Sequence, residues 1–197
     1  MAWFSNDGVW CHIKRDYEKE KSLLKVYNLK HKTSIFIFIS FISILFFGLF
    51  IDTRVIQSPL IGKDIPSFNL KTLSSELPVN NNMFPKEMIL VNVWASWCLE
   101  CIREHQIMMK INKDKKIKII GINYKDERDD AIGWLEIYGN PYTFNIHDYD
   151  GQLGIDLGVY GVPETFLIDK NNKIQAKFIG AITENIYFNE ILPVLEK

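Results

Sequence analysis

The sequence predicts an α/β domain with a central mixed sheet flanked by helices, preceded by one membrane-spanning helix. Three observations support this prediction. An uncharged apolar run occupies residues 35–51, strand-like and helix-like patterns alternate between residues 88 and 138, and two strand-like segments near the C-terminus are separated by a short polar turn. Alternation of strands and helices predicts parallel pairing, whereas the short turn predicts an antiparallel hairpin.

The apolar run at residues 35–51 is interrupted only by Ser40, Ser43 and Gly48 and contains no charged residue. As a helix it would span roughly 26 Å at about 1.5 Å per residue, which suits the hydrocarbon core of a bilayer. A cleaved signal peptide is the alternative, but no small-x-small cleavage site follows the run and the preceding segment is long. We therefore predict an uncleaved transmembrane anchor at residues 35–51, which contacts membrane lipid.

Basic residues are distributed unequally about this run. Seven precede it: Lys14, Arg15, Lys19, Lys21, Lys25, Lys30 and Lys32. The comparable stretch after the run has three, at Arg54, Lys63 and Lys71. The positive-inside rule then predicts a cytoplasmic N-terminal extension at residues 1–34, a linker at 52–59 and an extracytoplasmic domain at 60–197. Cys11 lies in the extension, and the sequence assigns no function to it.

The elements of the domain follow in order from local patterns. Residues 88–94 form an apolar strand that runs into a helix at 98–112, and residues 116–124 form a second buried strand before a helix at 126–138. Strands at 165–169 and 173–180 flank the turn Lys170-Asn171-Asn172, and a last helix begins near Glu184.

Composition limits the possible functions. The chain has 197 residues, a formal net charge of −1 and no long run of one charge sign, so nothing indicates a nucleic-acid partner. Its three cysteines are too few for a disulfide scaffold. Two of them, Cys98 and Cys101, are spaced Cys-x-x-Cys, and their chemistry is the informative feature.

A Cys-x-x-Cys at the point where a strand turns into a helix has a specific physical meaning. The first sulfur lies at the helix N-terminus, where free backbone N–H groups and the positive end of the helix dipole stabilise a thiolate. The second sulfur lies one turn later and can attack a mixed disulfide formed by the first. Cys98 is therefore the predicted nucleophile and Cys101 the predicted resolving thiol.

Other interpretations of the cysteine pair fit less well. A zinc site needs four ligands, and His105 is the only local residue that could join the two cysteines, so no metal site is predicted. Haem attachment needs histidine directly after the second cysteine, where this chain has Ile102. A structural disulfide closing so small a loop would stabilise weakly. Trp97, just before Cys98, is expected to border the site where a partner peptide docks.

The motifs WASWCLEC, GINYKD and GVYGVPETFLID resemble thioredoxin and, more narrowly, the membrane-anchored DsbE or CcmG family of cytochrome c maturation. The resemblance runs from about Leu60 to the final helix and implies a thioredoxin-like fold. It further implies that Pro163 is a cis-proline facing the disulfide, that Tyr160 and Glu164 border the same groove, and that Glu104 is an acid near Cys101. An exposed helix carboxylate is the alternative for Glu104.

The chain departs from the family pattern within the motif. The family usually has proline after the first cysteine, whereas this chain has Leu99-Glu100. A negative charge between the sulfurs raises thiol pKa values, while the restored N–H can bond the Cys98 sulfur, so the net effect is left open. Thioredoxin also has a buried aspartate where this chain has Asn92, so deprotonation of Cys101 would depend on Glu104 or Glu164.

By resemblance, the chain is a thiol-disulfide oxidoreductase that reduces the haem-binding cysteines of apocytochrome c or a haem-ligation dithiol protein. Electrons would come from a DsbD- or CcdA-type membrane reductase, since no flavin or nicotinamide motif appears and the Cys98–Cys101 disulfide is the only redox group expected. The location implied is the bacterial inner membrane, with the domain in the periplasm. A general periplasmic reductase and a non-catalytic docking module are the alternatives.

Overall fold

A computed structural model describes residues 35–48 and 59–195. Residues 35–48 form a helix, α1, whose side chains are exposed. Across the described ranges, no helix is both long enough and apolar enough to span a membrane. The predicted extension at 1–34, the end of the predicted anchor at 49–51 and most of the predicted linker, 52–58, lie outside the described residues. The helix and the domain are separate units, and the predicted boundaries stay predictions.

The domain is built on one seven-stranded sheet with the order β2-β1-β5-β4-β3-β6-β7. The strands are β1 (Asn69–Thr72), β2 (Pro78–Asn80), β3 (Ile89–Trp94), β4 (Lys118–Tyr124), β5 (Phe144–Asp148), β6 (Glu164–Ile168) and β7 (Ile174–Ile179). The central strands β3, β4 and β5 are parallel, whereas β6 and β7 and the pair β1 and β2 run antiparallel to their neighbours. The predicted mixed sheet is confirmed.

Five α-helical segments, one π-helical segment and one 3₁₀ turn accompany the sheet within residues 59–195. The α-helical segments are α2 (Leu99–Asp114), α3 (Arg128–Tyr138), α4 (Gln152–Asp156), α5 (Glu184–Ile186) and α6 (Leu192–Leu195). The last two are joined by a π-helical segment at Tyr187–Ile191, so the predicted C-terminal helix begins at the predicted residue but is not a regular α-helix. A short 3₁₀ turn at Asn81–Met83 follows β2.

Two hydrophobic cores lie on opposite faces of the sheet because neighbouring side chains of a strand point in opposite directions. In β3, Leu90 and Trp94 pack in the core that includes α2, α3 and the C-terminal helical segments, whereas Val91 and Val93 pack in the other core. All six residues of β3 are buried. This central strand therefore ends, fully enclosed, directly in front of the cysteine pair.

Three strands and one helix were not predicted from the sequence. β1 and β2 are only four and three residues long, and their burial patterns are mostly exposed or intermediate. β5 (FNIHD) contains a histidine and an aspartate in place of the usual apolar residues, and α4 has five residues. Such short elements depend on their neighbours in space, and the local pattern is too brief to reveal them.

Candidate active site

Cys98 and Cys101 are joined by a disulfide at the start of α2, with their Cα atoms 5.3 Å apart. Cys98 is the N-cap residue, with an extended backbone (φ −91°, ψ 110°), and its sulfur accepts a hydrogen bond from the Cys101 N–H at 3.0 Å. Both cysteines are buried. The sulfur of Cys98 thus already occupies the position in which the helix N-terminus stabilises negative charge.

The loop that carries the first cysteine is held by hydrogen bonds to Asp126, in the connection between β4 and α3. Its carboxylate accepts hydrogen bonds from the Ser96 N–H (2.6 Å), the Ser96 hydroxyl (2.7 Å) and the Asn123 side-chain amide (2.8 Å). The indole N–H of Trp97 donates to the Lys125 carbonyl at 2.9 Å. These bonds hold residues 95–98 in one arrangement, with the Trp97 ring at the surface.

A second loop meets the disulfide from the side of β6. The Val162–Pro163 peptide bond is cis, and the Val162 carbonyl oxygen lies 3.4 Å from the Cys98 sulfur. The Pro163 carbonyl accepts a hydrogen bond from the Gly180 N–H at 3.0 Å, which ties this loop to the end of β7. The geometry expected for Pro163 is therefore present, while its part in the reaction stays a prediction.

Three apolar side chains are exposed on the segments that carry Cys98 and the cis-proline. Trp97 is 58% exposed, Leu99 is 68% exposed and Tyr160 is 74% exposed. Large apolar side chains usually become buried, and a cluster of exposed ones marks a contact surface. We call these three residues the apolar rim. Trp97 and Tyr160 were expected at this groove, and Leu99 joins them at the position where the family usually has proline.

Glu104 is buried beneath α2, so the alternative of an exposed helix carboxylate is wrong. One carboxylate oxygen accepts a hydrogen bond from the Asn92 side-chain amide at 2.8 Å, and the other accepts one from the Ile182 N–H at 2.8 Å. Burial raises the pKa of Glu104 to about 7, against the opposing effect of these hydrogen bonds. A carboxyl group with this pKa is suited to proton exchange near neutral pH, and Glu104 lies one helical turn from Cys101.

Asn92 links this carboxylate to two other parts of the site. Its amide also donates to the Thr165 hydroxyl at 3.0 Å, and its carbonyl oxygen accepts from the Tyr142 hydroxyl at 2.8 Å. All four side chains of this group are buried. Asn92 thus does not replace the thioredoxin aspartate as an acid; it instead orients the acid that α2 supplies.

Glu164 is the second buried carboxylate near the disulfide, and it has a different environment. Its side chain is buried, and its expected place beside the groove stays a prediction. One oxygen accepts a hydrogen bond from the Tyr160 N–H at 3.0 Å, and the other lies 3.0 Å from the Lys177 ammonium. Glu164 is therefore compensated by a cation, whereas Glu104 is not.

Glu100, which lies between the two cysteines in the sequence, is also paired with a cation. The Glu100 carboxylate lies 2.7 Å from the Arg103 guanidinium, one turn further along α2, and both side chains are exposed. The negative charge that Glu100 brings to the motif is consequently offset in part by a neighbouring cation.

His105 does not join the cysteines. Its Nε2 lies 3.0 Å from the Tyr138 carbonyl oxygen, and its ring packs edge-on against Trp134 with 4.6 Å between ring centroids. Within residues 35–48 and 59–195, no three His, Cys, Asp or Glu side chains are grouped so that they could hold a metal ion.

The fold and the cysteine pair at the start of α2 define a thioredoxin-like thiol-disulfide oxidoreductase. Residues 60–192 match the family described as Redoxin. The chain is 40% identical over 162 residues to the thiol:disulfide interchange protein DsbE of Allochromatium vinosum, which covers 82% of this chain and 90% of that protein. It is 42% identical over 148 residues to DsbE of Escherichia coli strain K12, covering 74% and 80%. The chain belongs to the DsbE family of thiol:disulfide interchange proteins.

Solved structures agree on the fold. A secreted thiol-disulfide isomerase from Corynebacterium glutamicum superposes with a TM-score of 0.57 at 24% identity, over 68% of this chain and 86% of that one. A thiol-disulfide oxidoreductase from Bacteroides fragilis gives a TM-score of 0.59 at 20% identity, over 67% and 99%. The thioredoxin-like fold is confirmed.

Three residues that shape the site were not predicted from the sequence. Lys177 lies on β7. In the sequence it cannot be distinguished from an ordinary lysine on the solvent-facing side of a strand. Asp126 follows β4, and Tyr142 lies in the connection before β5. Of the three, only Asp126 has a signal in the sequence: it follows β4, which pairs in parallel with β3. Because the carboxyl ends of parallel strands meet at one edge of a sheet, Asp126 could have been expected near the residues that follow β3.

Proposed function

We propose that this protein reduces the disulfide of the haem-binding cysteines of apocytochrome c, or that of a haem-ligation dithiol protein. Residues 35–51 anchor it in the bacterial inner membrane, with residues 1–34 in the cytoplasm and the domain in the periplasm. Membership of the DsbE family supports this proposal, together with the uncharged run and the excess of basic residues before it. A DsbD- or CcdA-type membrane reductase supplies the electrons.

The reaction follows from the cysteine geometry. In the reduced protein the Cys98 thiolate attacks one sulfur of the partner disulfide, and the other partner sulfur leaves as a thiolate. The Cys101 thiol then loses its proton and attacks the Cys98 sulfur, which releases the second partner thiol and forms the Cys98–Cys101 disulfide. Two electrons pass to the partner, and the donor dithiol returns two electrons to the protein. Glu104 accepts the Cys101 proton, since its pKa is near neutral and it lies on the same helical face.

The surroundings of the Cys98 sulfur are the main structural support for a protein substrate. The Cys98 sulfur lies at the α2 N-terminus, 3.4 Å from the Val162 carbonyl oxygen. The exposed side chains of the apolar rim belong to the two sequence neighbours of Cys98 and to Tyr160, on the loop that contains Val162. A disulfide within a polypeptide brings neighbouring residues that can cover the apolar rim, whereas a small-molecule disulfide covers little of it. The arrangement therefore favours protein partners over small disulfides.

The partner is identified by trapping it. Cys101→Ala in the full-length protein prevents resolution, so Cys98 retains its partners as mixed disulfides in cells, and Cys98→Ser with Cys101→Ala serves as the matched control. We expect apocytochrome c or one haem-ligation protein to dominate. Many unrelated secreted proteins would indicate a general reductase instead. If Cys98→Ser alone leaves cytochrome assembly intact, the protein is a docking module.

Membrane topology is tested with cysteine labelling of intact cells whose outer membrane is permeable to the reagent. A membrane-impermeant maleimide should label reduced Cys98 and should not label Cys11. Lysis with detergent should make Cys11 reactive. Labelling of Cys11 before lysis would contradict the proposed orientation of residues 1–34.

A further inference from the structure

Lys177 is an unusual residue for its position because its side chain, on a strand near the sheet edge, is only 2% exposed. Lysine is almost never fully buried unless it is paired. Its ammonium lies 3.0 Å from the Glu164 carboxylate and donates a hydrogen bond to the Gly158 carbonyl oxygen at 2.6 Å. The contact to Glu164 is an ion pair, and the aligned hydrogen bond is the one to Gly158.

The same ammonium contacts two aromatic rings. It lies 4.6 Å from the ring centroid of Tyr160 and 5.4 Å from that of Phe166. Tyr160 belongs to the apolar rim, and its own N–H donates to Glu164. Phe166 is directly opposite Lys177 in the pairing of β6 with β7. One cation therefore contacts the loop backbone at Gly158, the rim side chain at Tyr160 and the carboxylate that holds the loop.

From these contacts we infer that Lys177 is a positioning residue that holds the loop at residues 158–164 in the shape that receives a polypeptide disulfide. Without the ammonium, the Gly158 carbonyl loses its donor, Tyr160 loses the cation beneath its ring, and Glu164 is left buried and uncompensated. The Val162 carbonyl beside Cys98 belongs to this loop, so its position depends on the same cation. The inference rests on the thiol-disulfide activity and is independent of which protein is the natural partner.

If Lys177 had a purely structural role, the variants of the ion pair would behave differently. If Lys177 served only as a counter-charge, replacing both members of the ion pair by neutral residues would restore the protein, because neither charge would remain unpaired. If Lys177 positions the loop, the double variant recovers its stability but not its reaction with polypeptides, since Gly158 and Tyr160 still lack the cation. The two roles are therefore distinguishable in one mutant cycle.

The experiment uses the reduced full-length protein and four variants: Lys177→Met, Glu164→Gln, the double variant and Lys177→Arg. Second-order rate constants are measured with a disulfide-bonded unfolded polypeptide and with glutathione disulfide, beside the thermal midpoint of each variant. Lys173→Met, which removes an exposed ion pair with Asp64 at the start of the same strand, is the matched control.

We expect Lys177→Met to slow the reaction with the polypeptide about tenfold and the reaction with glutathione disulfide less than twofold, consistent with loss of partner positioning. The double variant should regain the thermal midpoint while the polypeptide reaction stays slow, and Lys177→Arg should retain most of that reaction. Lys173→Met should match the unmodified protein. Equal slowing with both probes, or recovery of the polypeptide reaction in the double variant, would overturn the inference.

Discussion

Two glutamates flank the disulfide from opposite faces of the sheet, and they illustrate how environment decides the role of a side chain. Glu104 and Glu164 are both almost fully buried. Within the part of the chain that the structure describes, Glu104 interacts with the neutral groups of Asn92, Thr165 and Ile182 and with no cation, and burial raises its pKa to about 7. Glu164 is paired with the Lys177 ammonium and accepts a hydrogen bond from the Tyr160 N–H in the loop at residues 158–164. One carboxylate is therefore suited to exchange protons and the other to fix a structure.

The largest expected effect comes from breaking the ion pair. Glu164→Gln leaves the Lys177 ammonium buried without a counter-charge, and removal of one partner from such a pair costs about 3–5 kcal/mol. We expect that loss in the free energy of unfolding, measured with urea. Glu184→Gln, which breaks the exposed pair with Lys110, should leave the unfolding free energy close to that of the unmodified protein. Equal losses in the two variants would contradict the assigned difference in burial.

Glu104 should reveal itself through the pH dependence of stability. Its folded-state pKa of about 7 exceeds the ordinary value of 4.5, so the folded protein binds one more proton than the unfolded chain between these values. Stability contributed by this group is present below about pH 4.5 and decreases by about 3 kcal/mol as the pH rises through 7.

Glu104→Gln keeps the shape of the side chain and removes its titration. We expect the decrease in stability between pH 4.5 and 7 to become smaller by about 3 kcal/mol, as followed by urea unfolding at several pH values. The difference between the variant and the unmodified protein is the quantity to compare, since other groups titrate in the same range. An unchanged pH profile would show that Glu104 does not titrate there.

Features of the site that depend on neighbouring residues in the chain could be predicted from the sequence, whereas features that depend on distant chain segments could not. The cysteine pair, its place at a strand–helix junction and the cis-proline loop were all found, because local spacing and the family motifs encode them. The different roles of Glu104 and Glu164 were not separable in the sequence, since each carboxylate gets its environment from distant chain segments. Asn92 is 50 residues from Tyr142 and 73 residues from Thr165. The short strands β1, β2 and β5 escaped prediction for the same reason.

A smaller effect is expected from the hydroxyl that orients Asn92. Tyr142→Phe removes the donor at 2.8 Å and leaves the Asn92 carbonyl oxygen buried without that partner. Such a loss costs about 1–3 kcal/mol in unfolding free energy. The indole stack of Trp94 on the residue 142 ring should survive, because the ring is retained. A variant as stable as the unmodified protein would show that water or another group replaces the hydroxyl.

The smallest expected effect comes from the charge of Glu100, which lies between the two cysteines in the sequence. Arg103→Gln removes the exposed partner of Glu100, so the Glu100 carboxylate acts on the nearby thiols with less compensation. We expect iodoacetamide to label Cys98 of the reduced protein slightly more slowly at neutral pH in Arg103→Gln and slightly faster in Glu100→Gln, because an uncompensated negative charge disfavours the thiolate. The rate of labelling measures both changes. A change of the same sign in both variants would contradict the electrostatic explanation.

The central claim is that Cys98 attacks a partner disulfide and Cys101 resolves the product. The most direct test mixes the reduced Cys101→Ala and Cys98→Ala variants separately with a disulfide-bonded peptide and detects covalent adducts by mass spectrometry. We expect a stable mixed disulfide on Cys98 in the first variant and little adduct in the second, because the Cys98 sulfur is the one that lies at the α2 N-cap, where a thiolate is stabilised. Equal adduct formation, or faster reaction of Cys101, would contradict the assignment of the two sulfurs.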